Sequence, residues 1–295
     1  MRSPAIIGRR TRTAIASVLL VFATAATLGA GAPVSAAAPA PGTIYVVENG
    51  TGSVLSAPTT GGVATPIVTG ITGPGGVAEA NGTLYITTKT SVLSVPATGG
   101  TPTTLASGFS DAFDVAISGG TLFITDNAAG SVVTVPATGG APTTIATGIQ
   151  GPVAIVVAGN TLYVTESLTG KVLSLPVTGG TPTTVASGIA LPAGIDIAGG
   201  ALYISSAQGG SVITVPVFGG TPTTLATGLN SPFGLSVFSG TIFVSESGAG
   251  RVVSVPITGG TPTPVATGIN RPFGLTVVPG CTGSVCIFSG SSGSS

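Results

Sequence analysis

Four carboxylates stand at the same place in successive copies of one short phrase. Glu48, Asp126, Glu166 and Glu246 each lie three residues after an aromatic side chain, namely Tyr45, Phe123, Tyr163 and Phe243. Thr88 and Ser206 hold that place after Tyr85 and Tyr203. Carboxylates gathered at one rim would form a partial ring able to hold a cation or a polar ligand through oxygen. The other chemistry open to them is local. A side-chain oxygen in a tight loop accepts hydrogen bonds from the N–H groups of that loop, and Ser or Thr can stand in for Asp or Glu. The chain has no histidine, so a His base, a Ser-His-Asp triad and His-ligated metal are all excluded.

The phrase that carries these acids reads T-[LI]-[YF]-[VI]-[TSV], and it occurs six times, with Ala201 in place of the Thr in one copy. A Gly-Gly pair follows each copy, ending at Gly62, Gly100, Gly140, Gly180, Gly220 and Gly260, with spacings of 38, 40, 40, 40 and 40 residues. A fixed period of this size indicates a repeat architecture. One unit predicts four strands: Pro192 to Ile197, Ala201 to Ser205, Val212 to Val217 and Thr221 to Thr227. Gly219-Gly220 suits a two-residue hairpin turn between the last two, since both positions can take positive φ. Four antiparallel strands in about forty residues describe a propeller blade.

Composition orders the four strands by depth. The first is small and glycine-containing, as crowding at a central channel demands. The second is the most apolar and should pack between blades. The fourth carries Pro at its second position in every unit but the first, where Pro66 sits later in the local run. Because Pro cannot donate to a ladder, that strand should be outermost, with its edge protected against pairing. The first unit lacks strand one, and Pro272 to Val277 is a surplus copy of it at the other end. Pairing these pieces closes a ring of six blades.

On this reading the first strands line the channel, and Asp114, Asp196 and Glu79 are the acids nearest the axis. Asp114 and Asp196 are candidate ligands for a metal such as Ca²⁺; solvated or locally bonded carboxylates are the alternative. The linkers between blades vary most, and recognition belongs on such variation. Asn230, Phe233, Asn270, Arg271 and Phe273 are therefore candidate anchors for a partner, with a core role for the two phenylalanines as the alternative.

The ends of the chain differ from the repeats. Residues 1–36 read as a secretory signal peptide: Arg2, Arg9, Arg10 and Arg12, an apolar stretch from Ala14 to Leu28, then Val34-Ser35-Ala36 as a cleavage site. Residues 37–42 form a short linker, 43–289 the propeller and 290–295 a disordered Gly/Ser tail. Removing the leader leaves four basic and eight acidic residues, a net charge of −4. Such a chain has no basic footprint for nucleic acid and no polybasic patch for a membrane. Cys281 and Cys286 are the only cysteines, and in an exported chain they are expected to form a disulfide. Ser284 to Phe288 faintly echoes strand two and would add a short strand near the closure.

The run from Ser231 to Val237, followed by Thr241 to Val252, resembles the NHL-type six-bladed propeller repeat of the larger TolB-like group. The resemblance spans residues 43 to about 279. It implies an all-β fold of six four-stranded blades. Streptogramin-lyase-like propellers are similar but rely on a histidine, which is missing here. Gluconolactonase-like propellers hold a channel cation with Glu, Asn and Asp, and no axial Asn is present. The expectation is a secreted or envelope-associated, monomeric, non-enzymatic module without a cofactor, binding a protein or envelope glycan. The alternatives are a metal-dependent hydrolase or lactonase and a structural envelope protein.

Overall fold

The computed structural model describes residues 41–280. The expected signal peptide, the Cys281–Cys286 disulfide, the extra strand at Ser284 to Phe288 and the Gly/Ser tail all lie outside the described residues. The chain opens with β1 (Thr43–Glu48), β2 (Ser53–Pro58) and β3 (Thr65–Val68). Blade I is β4 (Pro74–Ala80), β5 (Thr83–Thr88), β6 (Ser91–Pro96) and β7 (Thr103–Ser107). Blade II is β8 (Ala112–Ser118), β9 (Thr121–Asp126), β10 (Ser131–Pro136) and β11 (Thr143–Ala146). Blade III is β12 (Pro152–Ala158), β13 (Thr161–Glu166), β14 (Lys171–Pro176) and β15 (Thr183–Ala186). Blade IV is β16 (Pro192–Ala198), β17 (Ala201–Ser206), β18 (Ser211–Pro216) and β19 (Thr223–Thr227). Blade V is β20 (Pro232–Phe238), β21 (Thr241–Glu246), β22 (Arg251–Pro256) and β23 (Thr263–Thr267).

The last strand, β24 (Pro272–Val278), pairs antiparallel with β1, with Thr43 opposite Val278 and Val46 opposite Leu275. The sheet order β24-β1-β2-β3 makes a closing blade from the two ends of the described chain. Each first strand packs against the first strand of its neighbours, from β24 to β4 around to β20 and back to β24. The architecture is a six-bladed β-propeller. Its core is divided into six apolar clusters, one at each seam between adjacent blades. The second and third strands together supply most of these side chains, and the second strands are buried on both faces.

Two local expectations need correction. The Gly-Gly pairs do not make two-residue hairpins; in blade IV the connection runs from Val217 to Pro222. Glycine is needed for a different reason, a close approach between blades. A Cβ on Gly179 (φ +89°) would lie 2.4 Å from the Ile145 carbonyl oxygen of the preceding blade. The Gly180 N–H donates to that same oxygen at 3.1 Å, and Gly62, Gly140 and Gly260 repeat the contact at their own seams. The second correction concerns proline. Pro102, Pro142, Pro182 and Pro222 sit one residue before the outermost strand, while Pro66 and Pro264 lie within it. The prolines still fall at the outer edge, where a missing donor costs no ladder bond.

Each first strand carries a β-bulge that decides how the seams are held. In blade II, Ala112 pairs with Asp126 and Val115 with Ile124, so Phe113 and Asp114 together oppose Thr125. A bulge leaves backbone groups outside the ladder. Here the last residue of the repeated phrase takes them up. Thr125 Oγ1 accepts from the Asp114 N–H at 3.0 Å and donates to the Val153 carbonyl of blade III at 2.7 Å. Thr87 bridges Gly76 and Phe113, Thr165 bridges Ala154 and Ala193, Ser205 bridges Gly194 and Phe233, and Ser245 bridges Gly234 and Phe273. All five hydroxyl residues are fully buried.

Replacing Thr165 with Val keeps the shape and removes the hydroxyl, stranding one buried N–H and one buried C=O. The expected cost is about 1–3 kcal/mol in urea unfolding, with the fold retained. A loss within error of zero would show that the clip does not hold the seam.

Candidate functional site

Chain direction sorts the loops onto two faces. The linkers and the loops between second and third strands share one rim; the short turns after the first strands and the Gly-Gly loops share the other. All four cations of the described residues, Lys89, Lys171, Arg251 and Arg271, lie on the linker rim. On the opposite face the only charged residue among those described is Glu79, whose carboxylate accepts from Gly82 N–H at 2.7 Å.

The repeated carboxylates are the final residues of β1, β9, β13 and β21, so they close the second strand rather than occupy the following loop. Their exposures are 8% for Glu48, 4% for Asp126, 4% for Glu166 and 0% for Glu246. Each one grips the linker that enters its own blade. Glu246 accepts from Asn230 N–H, Glu166 from Gln150 N–H and Glu48 from Asn270 N–H, all at 2.7 Å. Asp126 accepts from Ser110 and Asp111 N–H at 2.9 and 2.8 Å. The Thr51 and Thr169 hydroxyls and the Arg251 guanidinium donate to the second oxygens of Glu48, Glu166 and Glu246. Ser206 holds its linker with opposite polarity, donating to the Ala190 carbonyl at 2.7 Å. The carboxylates therefore lie under the rim, each bonded within its own blade, and among the described residues no three His, Cys, Asp or Glu side chains come together.

The channel is lined by the six first strands and encloses about 180 Å³. That is smaller than the roughly 300–1,000 Å³ of typical small-molecule sites. The third and fifth positions of the strands face it. Gly, Ala and Val fill most of these, and Asp114, Asp196, Ser236 and Thr276 are the polar exceptions. Asp114 Oδ2 accepts from Ile155 N–H of the next blade at 3.1 Å. Asp196 accepts from Ile197 N–H at 2.7 Å and from Val237 N–H of the next blade at 2.6 Å. Gly76 makes room for Asp114, because a Cβ there would lie 2.2 Å from its Oδ1. Desolvation inside the ring pushes Asp114 up to about 7, against the pull of its backbone donors, with the Asp196 charge adding to the rise. Asp196 is pushed up to about 6, also by desolvation, against the pull of backbone donors and Ser236.

At the linker end, three aromatic rings meet across the channel mouth. The second positions of β8, β20 and β24 place Phe113, Phe233 and Phe273 with centroids 4.5 Å apart for Phe233–Phe273, 5.7 Å for Phe113–Phe233 and 6.4 Å for Phe113–Phe273. The Arg271 guanidinium lies 5.8 Å from the centre of the Phe273 ring. All three rings are half-buried, while Asn230, Asn270 and Arg271 are exposed. Phe113 joins Phe233 and Phe273 only in three dimensions, although its shared place at the start of a first strand was readable in the repeat.

The linker residue before the first strand is held at positive φ in five units. It is glycine at Gly73 and Gly151, but Leu191 (φ +55°), Ser231 (φ +49°) and Arg271 (φ +53°) accept the same conformation with a side chain. Non-glycine residues are uncommon there, and bulky ones more so. Leu191 is 44% exposed and shares a shallow rim pocket with Leu168, which is 74% exposed.

The fold and this mouth define the class of protein, a closed six-bladed propeller with an aromatic cluster over a narrow channel. No protein-family model matches the chain, and no curated protein matches it. Among solved structures, it is similar to a chain of a nidogen/laminin complex, at 18% identity over 82% of this chain and 100% of the other, with a TM-score of 0.72. It is also similar to the virginiamycin B lyase of Staphylococcus aureus, at 16% identity over 68% of this chain and 73% of the other, with a TM-score of 0.56. A streptogramin B lyase aligns at 16% identity over 77% and 74%, with a TM-score of 0.55. At these identities the shared property is the fold.

The raised acid in the channel sets a pH dependence. With a folded-state value near 7 against an ordinary 3.8, Asp114 makes its full contribution to stability below about pH 4, and that contribution is lost as pH rises through 7. Asp114 keeps part of its surface open to the channel, and solvent screening there makes the expected loss nearer ~2 kcal/mol than the ~4 of a fully buried site. Asp114→Asn should flatten the curve of stability against pH between 4 and 8. An unchanged curve would show that Asp114 titrates as an ordinary carboxylate.

Proposed function

We propose that this chain is an exported, non-enzymatic propeller of the NHL type that binds a protein or an envelope glycan at the linker rim. The observation that carries the proposal is the Phe113–Phe233–Phe273 cluster at the channel mouth, with Arg271 against its edge. Aromatic side chains, phenylalanine among them, and arginine are enriched in protein interfaces. Arg271, Ser231 and Leu191 support the reading, since each keeps a side chain in a conformation for which glycine serves elsewhere in the ring. Strained positions of this kind cluster at functional sites. That the nidogen/laminin structure is a complex of two proteins is consistent with a protein partner.

The alternative, a hydrolase using Ca²⁺ on axial carboxylates, draws less support from the donor set. Asp114 and Asp196 sit on different blades, each already accepts backbone N–H groups, and desolvation favours the neutral form of each. A hard cation takes six to eight oxygen ligands, largely from ionised carboxylates, carbonyls and water.

The test uses residues 37–280 with purified peptidoglycan and with an envelope protein fraction. Binding to one of the two is expected, and Phe233→Ala and Arg271→Ala should each weaken it about ten-fold or more, with the melting transition retained. Binding that ignores both substitutions would reject the rim as the site. Calorimetric titration with Ca²⁺ should give no heat; a binding isotherm abolished by Asp114→Asn or Asp196→Asn would favour the metal reading.

A further inference from the structure

We infer that the ring opens reversibly at one seam, between the closing blade and blade I, and that residue 47 sets how readily it does so. The hydroxyl that clips each blade to the next is Thr87, Thr125, Thr165, Ser205 or Ser245 at the other five seams. At this seam the same place is occupied by Val47, fully buried and without a donor. The bulge is present all the same: Glu48 pairs with Pro272 and Val46 with Leu275, leaving Phe273 and Gly274 opposite Val47. The Gly274 amide and the Gly75 carbonyl, which occupy the clipped positions, therefore have no hydroxyl between them.

Three further features of the seam agree. The side chains that bridge first strands across the channel, Asp114 to Ile155, Asp196 to Val237 and Ser236 to Val277, serve other seams. The Gly-Gly contact also lacks its hydrogen bond here, as it does at the seam of blades III and IV. Gly99 comes close to the Ile67 carbonyl of the closing blade, but neither Gly100 nor Gly220 makes the bond made by Gly62, Gly140, Gly180 and Gly260. Finally, β4 begins Pro74-Gly75-Gly76, so two adjacent residues of blade I bring no side chain to the seam. Gly274 faces them, and a Cβ on it would lie 2.7 Å from the Gly76 Cα.

What remains is the apolar cluster around Val47, Ile71, Val77, Leu84 and Ile86 and one part-buried bond, from the Asn49 side-chain amide to the Pro74 carbonyl at 2.8 Å. Apolar contact is non-directional, so it tolerates small separations that a geometric hydrogen bond does not. Opening here leaves blade I tethered by residues 69–73, and the closing blade stays paired through β1 and β24. The motion is local and does not require global unfolding. Phe273 belongs to this seam and to the aromatic mouth, so opening would shift one wall of the mouth.

Hydrogen exchange on the folded protein tests this. Amides of β4 at Gly75 to Val77 and of β24 at Gly274 to Thr276 should exchange about ten-fold faster, or more, than the matching amides of β12, β16 and β20. Val47→Thr supplies the missing hydroxyl and should slow the β4 and β24 amides about five-fold and raise Tm by about 2–4 °C. Equal protection at all six seams in the unaltered protein would overturn the inference, whether or not the variant folds. So would a Val47→Thr protein whose β4 amides exchange as before.

Discussion

The ring depends on how each first strand disposes of the backbone groups that its bulge displaces. A propeller blade must bend sharply where its innermost strand meets the channel, and the bulge supplies the bend. The cost is an amide and a carbonyl removed from the ladder in a dry place, where an unpaired polar group costs about 1–3 kcal/mol. One buried hydroxyl offsets two such groups at once, because Thr or Ser can accept from its own blade while donating to the next. The same bond that completes a blade thus sets its angle to its neighbour. Five hydroxyls do this in five seams, and the valine at the sixth makes the ring unequal at one joint.

The rim obeys the same logic with carboxylates in place of hydroxyls. Glu48, Asp126, Glu166 and Glu246 hold the linker amides that lead into their own blades, and so keep the variable linkers in place without lying at the surface. This separates support from display. The acids are spent beneath, while Arg271, Ser231, Leu191 and the half-buried phenylalanines stand above. In the channel, Asp114 and Asp196 likewise bridge adjacent inner strands, at the expense of carboxyl groups that resist ionising.

Much of this was legible from the chain. The forty-residue period, the four strands per unit and the six-fold count follow from spacing and β-forming composition, which are local properties. The place of the acids at one rim was also readable, because equivalent positions in a repeat occupy equivalent positions in space. What those acids bond was not, since each partner lies about sixteen residues upstream in the linker, or across the closure in the case of Glu48 and Asn270. Gly-Gly misled as a turn signal for a similar reason. The positive φ it predicts is there, but the pressure for glycine comes from a carbonyl of the preceding blade, 34 residues away in the chain for Gly179 and Ile145.

The division is clearest in the repeated phrase. Sequence alone determined that its fifth residue alternates among Thr, Ser and Val, and nothing local distinguishes the three, since all are β-branched or small residues suited to a strand. Only the tertiary structure decided that a hydroxyl there ties two blades together and that Val47 leaves one seam untied. Periodicity constrains what each unit resembles. A seam is a contact between units, and its chemistry exists only once the ring has brought an amide of one blade and a carbonyl of the next within reach of one side chain.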